Sequence, residues 1–582
     1  MYYGKQRNRP PWIRYTDDWV VRLRGTPHGA SKITRFPPTP CIPMTTSLYL
    51  YGSIALSAYF IWSIFRRFRG FAGLQNIPGP PCHSILTGNM SAFFDPDGWE
   101  FQKELEENYG QVVKIYGPLG TPQLFVFDSA ALHSILVGDA DAYEEPPAYS
   151  SLYGLLWGPG FFSSVGADHH RYRKIAMPAF ATGKIRQMIP FFYEVAERAR
   201  DGLMSPFLAD GRKTLDLNNI LNRTSLEIIG RAGIGYSFDS MRPEDTSEDR
   251  YAVTLKEVLP TVFKMALFIP LLPYLTKIGS SAFRRAVVGI IPWKTLHTAK
   301  NIVDDMHNAA LNLILSKKAA VAQGQPDTRD DSKDIMSLLL KGNLTADEDM
   351  SLSDEELVGQ TGMIISAATD TTSSALDRMF HILSLHPEMQ ERLRTEITES
   401  PEHMDYEQLG SLPYLDAFVH EVLRVYPPVT PVMHRETLKD TILPLSKPLN
   451  GVNGEAITSI AVPKGTTVYI AISGANHNRN VWGDDALEFK PERWDHGKAS
   501  TQNEKICGIY GNMMTFIGGE RSCIGFQFSL LEMKVILSVF LRRFKFSPAM
   551  DGPVQWKMPG IIALPSVDGK VQLPLMVEIM KE

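Results

Sequence analysis

A lone cysteine near the C-terminus has the residues around it that reactive or metal-bound thiols require. Residues 515–534 read TFIGGERSCIGFQFSLLEMK, so Cys523 follows two glycines and Arg521 and precedes an amphipathic segment. The thiolate, rather than the thiol, is the nucleophile and metal ligand, and a nearby cation or helix N-terminus favours it. A helix is predicted over 526–535, beginning just after the sulfur. A reactive thiol, a metal ligand and an ordinary buried cysteine are all compatible with this pattern alone.

A second candidate site interrupts a long helical pattern. Residues 367–372 read AATDTT, which places Asp370, Thr371 and Thr372 within an otherwise apolar face. These side chains compete for backbone hydrogen bonds, so a cluster of them is unfavourable in mid-helix. We therefore expect something to compensate; the alternative is a polar helix face turned to solvent.

Two charged motifs follow this helix. HEVLRVYPP, residues 420–428, puts Glu421 and Arg424 at i and i+3, where they can pair on one helix face. By itself such a pair would be a surface salt bridge of little value. FKPERWD, residues 489–495, supplies Arg493 in a proline-containing loop that carries no chemical meaning alone.

Helices are predicted to position most of these groups. One runs from Asp354 to about Leu385, and Ser353 with Glu356 forms an S/T-x-x-E start signal for it. A second runs from Leu412 to Tyr426 and is ended by the two prolines that follow. Small sheets are predicted near residues 112–127, where the pattern is typical of a hairpin, and near residues 438–472.

The composition excludes several classes of protein. The chain has 582 residues and a formal net charge of -5, so it is long enough to enclose a cofactor and lacks the basic excess of a nucleic-acid binder. Its cysteines are Cys41, Cys82, Cys507 and Cys523, without a C-x-x-C pair. So sparse a set predicts a reducing compartment, and neither a disulfide framework nor a zinc site.

The N-terminal region predicts a membrane anchor. Residues 47–65 form an uncharged run of 19 residues, about the length that a helix needs to cross the hydrocarbon core, and three arginines follow by residue 69. A cleaved signal peptide is the weaker alternative, because the run is long and has no clear cleavage site. The first 43 residues carry eight Lys or Arg against two acids, which conflicts with the orientation set by those three arginines. Either this tail is a targeting presequence or translation begins at Met44; we favour Met44, and expect sequencing of the native N-terminus to find no residues 1–43.

Taken together, the motifs resemble one family. FIGGERSCIG, residues 516–525, matches F-x-x-G-x-R-x-C-x-G, the signature of the cytochrome P450 family. In the order of that family, AATDTT resembles the oxygen-activating helix motif, EVLR the E-x-x-R motif and PERW the P-E-R-F/W loop. The resemblance runs from about Ile77 to the C-terminus and is closest to the membrane-bound eukaryotic type, including fungal members. The matched positions are Phe516, Gly519, Arg521, Cys523 and Gly525.

This resemblance implies a haem cofactor with Cys523 as the thiolate ligand of the iron. Phe516 and the glycines at 518, 519 and 525 would let the flat macrocycle approach the backbone. The helix that begins after the sulfur is expected to help hold the thiolate deprotonated. Arg521 and Arg435 resemble arginines that bind the haem propionates.

The resemblance also assigns roles to four further groups. GADHHRYRK, residues 166–174, resembles the W-x-x-x-R helix, with Arg173 as the arginine and His169 in place of tryptophan. An imidazole N–H can donate to a propionate as an indole does, and an ordinary surface histidine is an equal alternative. Asp370 and Thr371 resemble the acid and alcohol that deliver protons to dioxygen, although Ala368 occupies a position that usually holds glycine.

Glu421, Arg424 and Arg493 resemble the buried charge network that fixes the fold around the haem. The fold class implied is mainly α with small β-sheets, a single large haem-thiolate monooxygenase fold behind an N-terminal membrane anchor. Its expected parts are a basic tail over 1–43, a transmembrane anchor over 44–69, a proline-rich hinge over 70–82 and a haem domain over 83–582.

Residues 149–164 and 258–275 fall where this family places its pocket-lining and substrate-access segments, and both are apolar. They favour a lipophilic substrate such as a terpenoid or other secondary metabolite, and the second could dip into the bilayer surface. The chain has no dinucleotide fingerprint, so its electrons are expected from NADPH through a partner reductase. The expected location is the endoplasmic reticulum membrane, as a single-pass monomer with the catalytic domain facing the cytosol.

Two other functions remain open from sequence. A haem-thiolate isomerase or dehydratase acting on a peroxide would be expected to have lost Asp370 and Thr371. A non-catalytic haem- or lipid-binding protein would show no turnover with reductase and NADPH.

Overall fold

The computed structural model describes residues 71–208, 210–242, 250–322, 334–345, 351–430, 433–495, 498–499, 504–549 and 552–580. The predicted basic tail and membrane anchor therefore lie outside the described residues. Within those ranges, no helix combines the length and apolar character that a membrane crossing requires.

Helices make up most of the described structure, which confirms the predicted class. Short 3-10 and π segments join several of them. The α-helices are α1 Met90–Phe93, α2 Trp99–Asn108, α3 Ser129–His133, α4 Pro147–Leu156, α5 Gly166–Ala176, α6 Thr182–Ile185, α7 Ile189–Ala199, α8 Leu217–Ile228, α9 Arg250–Phe263, α10 Leu272–Leu275, α11 Ser281–Ile290, α12 Lys294–Ala322, α13 Ile335–Thr345, α14 Asp354–Leu385, α15 Pro387–Thr398, α16 Tyr406–Ser411, α17 Pro413–Val425, α18 Ile472–Asn476, α19 Arg479–Trp482 and α20 Phe526–Arg543.

The strands form five small sheets within the described residues. They are β1 Val112–Tyr116, β2 Pro122–Val126, β3 Tyr143–Glu144, β4 Arg212–Asp216, β5 Met433–Thr437, β6 Thr441–Asn450, β7 Ala456–Val462, β8 Thr467–Ile470, β9 Trp494–Asp495, β10 Lys498–Ala499, β11 Phe544–Pro548, β12 Gln555–Lys557, β13 Leu564–Val567, β14 Lys570–Val571 and β15 Pro574–Ile579. The largest sheet has the order β1-β2-β8-β5-β3, in which β2 and β8 run parallel. The others are β4-β15-β11, β12-β13-β14, β6-β7 and β9-β10.

Helix α14 runs through the centre of this body and has the predicted bounds. Its N-terminus is a capping box, in which Ser353 and Glu356 each bond the other's backbone N–H, as predicted. The helix packs against α8, α12 and α20, and it is continuously buried from Leu357 to Ile365 and from Thr372 to Asp377. Tertiary burial therefore stabilises a helix whose polar cluster would weaken it in isolation.

The predicted hairpin is also present, and it holds the proline-rich segment in place. Strands β1 and β2 are antiparallel, with Val112 opposite Val126. The N–H of Lys114 donates to the carbonyl of Pro78 at 2.9 Å. A Cβ at Gly79 would lie 1.8 Å from the Lys114 oxygen, so the segment is packed directly on β1.

Two predicted helices differ from the observed ones to different degrees. Helix α17 begins and ends within one residue of the predicted bounds. Helix α20 begins at Phe526 as predicted but continues to Arg543, well beyond residue 535. Beyond residue 535 the side chains from Ile536 to Leu541 are all buried, so packing stabilises the extension of the helix.

Candidate functional site

The loop that carries Cys523 is fixed by its own backbone. The N–H of Cys523 donates to the Phe516 carbonyl at 2.9 Å, and the N–H of Ser522 donates to Gly519 at 3.1 Å. Gly519 has a φ of 70°, and a Cβ there would lie 1.9 Å from the carbonyl oxygen of Leu136. The loop therefore requires glycine at 519 for both its conformation and its packing.

The structure changes the explanation for the glycines of this loop. All three were expected to admit a macrocycle, but a Cβ at Gly518 would lie 2.0 Å from the Cys507 oxygen. Gly518 and Gly519 therefore allow one part of the protein backbone to approach another. At Gly525 a Cβ would meet no described atom within 4 Å, so this glycine remains compatible with the predicted role.

The thiol of Cys523 lies on the wall of an internal space. Cys523 has a large accessible surface, yet its sulfur lies deep within the protein. The surface that it exposes therefore faces an internal space. Burial raises the pKa of this thiol, while the Gly525 N–H and the charge of Arg173 act in the opposite direction. The start of α20 thus favours the thiolate as predicted, but in the protein alone desolvation outweighs it. A bound metal ion would reverse that balance, because coordination deprotonates a thiol.

Three arginines converge beside this loop, on three different elements. Arg173 of α5 donates to the Ser522 carbonyl at 2.7 Å and to its hydroxyl at 2.9 Å. Arg521 bonds Glu144 and donates to the Ser164 carbonyl at 3.0 Å. Arg435 of β5 donates to Glu145 at 3.0 Å. Glu144 and Glu145 pair with Arg521 and Arg435, and the charge of Glu520 acts on Arg173.

His169 lies among these arginines and is buried, so the alternative of a surface histidine is wrong. Burial, together with the charges of Arg521, Arg173 and Arg435, lowers the pKa of His169 to about 4. The imidazole is therefore neutral at pH 7 and carries one N–H donor. A propionate-binding role for His169 stays a prediction.

The AATDTT cluster lies at an opening in the middle of α14. Asp370 and Thr371, like Ser366 just before them, are partly exposed, whereas the helix is buried on either side. This pattern indicates a cavity inside the protein rather than a solvent-facing helix surface. The Thr371 hydroxyl donates to the Ala367 carbonyl at 2.8 Å, one turn earlier, so its donor is satisfied within the helix.

The charge network predicted from EVLR and PERW is present and buried, so the alternative of a surface salt bridge is wrong. Arg424 donates through two nitrogens to the Glu421 carboxylate at 2.8 and 2.9 Å, and both residues are fully buried. Arg493 approaches the same carboxylate to 3.5 Å, and the Trp494 indole donates to it at 2.9 Å.

Sequence reasoning missed three residues of this region. Glu144 and Glu145 form ion pairs with Arg521 and Arg435, the two arginines predicted to bind the haem propionates. Trp157 donates through its indole to the Ser366 hydroxyl at 3.0 Å. The sequence signal for the two glutamates was the pair of adjacent acids in YEEPP, residues 143–147. That signal could not be interpreted from sequence, because the arginines that pair with these acids are distant in the chain and come near only in the fold.

The residues fit a haem with two carboxylate substituents. A sulfur ligand lies on an internal wall, three guanidinium groups lie beside it, and a helix opening carries an acid and an alcohol. Iron bound through a thiolate favours cleavage of the O–O bond over reversible oxygen carriage. The individual ligand and propionate assignments remain predictions.

Comparison with known proteins places this arrangement in one family. A model of the family described as Cytochrome P450 matches residues 78–573. Cytochrome P450 monooxygenase 81 of Postia placenta is 40% identical over 546 residues, which cover 92% of this chain and 98% of that protein. Monooxygenase 91 of the same fungus is 41% identical over 517 residues, covering 87% and 94%. A ganoderic acid synthetase of Ganoderma lucidum is 35% identical over 545 residues, covering 92% and 98%. This chain therefore belongs to the cytochrome P450 family, as a monooxygenase whose cofactor is haem held by a cysteine thiolate.

Proposed function

We propose that this monooxygenase oxidises a lipophilic small molecule, a terpenoid or another secondary metabolite, with electrons from NADPH delivered by a reductase. The observation that carries the proposal is the retained Asp370–Thr371 pair at the opening of α14. A peroxide-driven isomerase or dehydratase has no need of proton delivery, so the pair favours oxygen activation. One relative at 35% identity is named a ganoderic acid synthetase, which fits the choice of a secondary metabolite.

The chain's own residues would divide the work among them. Cys523 holds the iron, while Arg173, Arg435 and Arg521 orient the carboxylates of the cofactor. The Asp370 carboxyl would supply a proton, and the Thr371 hydroxyl, now bonded to Ala367, can turn to pass it on. The arrangement gives the acid and the alcohol adjacent positions on one helix.

Attachment to a membrane is supported by an apolar surface around α10 and α11. Proline interrupts this region, and many of its large apolar side chains are exposed. They are Leu267, Phe268, Leu271, Tyr274, Leu275, Ile278, Phe283, Val287 and Ile290. We propose that this surface dips into the bilayer, with the catalytic domain on the cytosolic side of the endoplasmic reticulum.

The test is to purify the full chain with haem and record its reduced carbon-monoxide difference spectrum. The band of a thiolate-ligated haem is expected, and its loss in Cys523→Ser would support that ligand. The holoprotein is then incubated with reductase, NADPH and a panel of lipophilic compounds. Oxygenated product that depends on NADPH supports the proposal, whereas product formed only from peroxides, or none from any compound, contradicts it.

A further inference from the structure

A group of polar and aromatic side chains lies where the second half of α14 meets strand β12 and the end of α17. Arg378 and His381 are three residues apart on α14, so they share a helix face. Trp556 of β12 contacts both of them, and Tyr426, the residue after α17, contacts Arg378. We name these four residues the Arg378 cluster.

The guanidinium of Arg378 is held by aromatic rings rather than by hydrogen bonds. Its Cζ lies 3.3 Å from the centre of the Trp556 ring and 4.5 Å from the centre of the Tyr426 ring. Among the residues that the structure describes, it makes no ion pair and donates no hydrogen bond. A guanidinium has five N–H donors in one plane, and the contacts with the rings use none of them.

The charge of Arg378 is largely removed from water. Burial lowers the pKa of Arg378 to about 9, although Tyr426 and Asp377 act in the opposite direction, so the side chain stays charged at pH 7. Asp377 is no full counter-ion, because burial raises its own pKa well above the usual value and its bonded partner is the Asn218 amide at 2.6 Å. A desolvated cation in this position is unfavourable until an anion joins it.

His381 supplies a second unused donor on the same helix face. The indole N–H of Trp556 donates to Nδ1 of His381 at 3.0 Å. Burial, together with the charge of Arg378, lowers the pKa of His381 to about 4, so the ring is neutral at pH 7. A neutral imidazole that accepts at Nδ1 carries its hydrogen on Nε2. That N–H has no acceptor in the described part of the chain, and both His381 and Arg378 keep some accessible surface.

The Arg378 cluster is separate from the opening that carries Asp370 and Thr371. Arg378 follows Thr371 by seven residues, a rise of about 10 Å along α14. Between them, the Ser374 hydroxyl donates to the Ala563 carbonyl at 2.6 Å, so another segment of the chain packs on the helix there. The cluster is therefore not part of the proton-delivery machinery of the proposed function.

We propose that the Arg378 cluster binds a phosphate group, with the Arg378 guanidinium as its principal ligand and the Nε2–H of His381 as a second donor. A guanidinium can hold two oxygens of a phosphate at once. The remaining phosphate oxygens are left for His381, whereas a carboxylate has only two oxygens in all. A bound phosphate would join α14, β12 and the end of α17, and would stabilise the folded protein.

The direct test measures the binding of inorganic phosphate to the full-length holoprotein in detergent. The protein is kept in its ferrous carbon-monoxide form, which is diamagnetic, and the line width of the phosphorus-31 signal gives the dissociation constant at pH 7 and constant ionic strength. Wild-type protein is expected to show saturable broadening. Arg378→Met removes the charge and should weaken binding at least about tenfold, and His381→Phe should weaken it about threefold.

Arg392→Met is the matched control. Arg392 also lies over an aromatic ring, that of Tyr414 at 3.7 Å, but its guanidinium is paired with Glu492 at 2.8 Å. Its replacement should leave phosphate binding unchanged. Equal weakening in Arg392→Met and Arg378→Met would overturn the proposal, as would unchanged binding in Arg378→Met or no saturable binding by wild-type protein.

Two further probes identify the source of the anion. Glycerol 3-phosphate carries the phosphate on a small ester, and acetate carries a carboxylate instead. Tighter binding of the ester would assign the site to a phosphorylated molecule, and tighter binding of the free ion would assign it to inorganic phosphate. Tighter binding of acetate than of either would overturn the choice of phosphate.

Thermal unfolding separates this role from a purely structural one. Without phosphate, Arg378→Met should melt no lower than wild type, because it removes a desolvated charge that has no partner. Saturating phosphate should raise the melting temperature of wild type and not that of Arg378→Met. If the ring contacts alone were important, the variant would lose the same stability in both buffers, and that result would overturn the proposal. NADPH-dependent turnover tests the proposed function separately and is independent of these results.

Discussion

At the scale of single residues, the Glu421 carboxylate connects several parts of the buried interior. Glu421 accepts hydrogen bonds from Arg424, from the N–H of Lys490 and from the Trp494 indole. Burial opposes its ionised form, but these donors outweigh burial and lower the pKa of Glu421. The guanidinium of Arg424 also donates to the carbonyls of Asn476, Ala486 and Glu488, so the pair joins several loops.

Glu421→Ala is expected to abolish haem incorporation. The substitution leaves the charge of Arg424 uncompensated in the interior, which costs about 3 to 5 kcal/mol. Soret absorbance per mole of purified protein measures the result. Glu492→Ala, which removes an exposed carboxylate paired with Arg392, is the control and should retain haem. A normally absorbing holoprotein from Glu421→Ala would refute the expectation.

Thr371→Ala is expected to separate NADPH consumption from product formation. Proton delivery by a positioned group contributes about 100-fold or more, so product per NADPH should fall by at least about tenfold. Thr369→Ala provides a matched control, because that hydroxyl makes the same bond to the carbonyl four residues earlier but lies on the buried face. Equal yields from both variants would show that the position of Thr371 is unimportant. The measurement is product and NADPH in the same reaction.

At the scale of elements, α20 joins the Cys523 loop to the centre of the protein and carries an unusual buried acid. Glu532 is fully buried, and neither carboxylate oxygen has a hydrogen bond of normal geometry within the described structure. Desolvation raises its pKa to about 8, although the nearby Ser225 hydroxyl lowers it slightly. The carboxyl is therefore largely protonated at pH 7 in the folded protein.

This acid predicts a pH dependence of stability. Between pH 4.5 and about 8 the folded protein keeps the proton and the unfolded chain loses it, so unfolding releases a proton. The free energy of unfolding therefore falls as the pH rises through this window. Glu532→Gln removes this contribution, so its stability relative to wild type should increase by about 2 kcal/mol between pH 6 and pH 8.

Calorimetric melting at pH 6 and pH 8 measures this effect. The difference in melting temperature between Glu532→Gln and wild type should be larger at pH 8. Glu399→Gln changes an exposed acid and serves as the control, with no such growth. A constant difference between the two pH values would show that Glu532 is not the titrating group.

The elements also show what the sequence could predict. Helix α14, the hairpin and the start of α20 follow local signals: a capping box, alternating residues beside turn formers, and a glycine-rich loop. The end of α20 does not, because burial rather than propensity extends it. The requirement for glycine at 518 and 519 could not be explained from sequence either, because it comes from the close approach of the Cys507 and Leu136 carbonyls. The EVLR and PERW motifs correctly identified the residues of the charge network. Whether that network was buried or on the surface became clear only from the fold.

At the scale of the whole molecule, the proposed cytosolic orientation concerns three N-x-S/T sequences. Their asparagines are Asn89, Asn222 and Asn343, and each side-chain amide donates to a backbone carbonyl, those of Pro81, Asn218 and Leu352. Asn89 is completely buried. Each of these side-chain amides is hydrogen-bonded within the folded protein, so none is free to carry a glycan without losing that bond.

Protein isolated from a eukaryotic host is therefore expected to carry no N-linked glycan. Treatment with an endoglycosidase should leave its electrophoretic mobility and mass unchanged. A variant with an N-x-S/T sequence added at the far N-terminus is a useful comparison, because it reports the other side of the predicted anchor. Glycan on any of the three native asparagines would contradict the cytosolic orientation.

Helix α5 has a consequence for the order in which the protein matures. Arg173 binds Ser522, which lies 349 residues later in the chain, and the neighbouring Tyr172 binds Glu356, 184 residues later. At about 5 to 20 residues per second, the ribosome takes roughly 20 to 70 seconds to supply Ser522 after Arg173. Throughout that interval the surfaces that will enclose the cofactor have no partner. Loading of haem must therefore come at the end of synthesis, and a cell that makes this protein faster than it supplies haem would accumulate an open, aggregation-prone apoprotein.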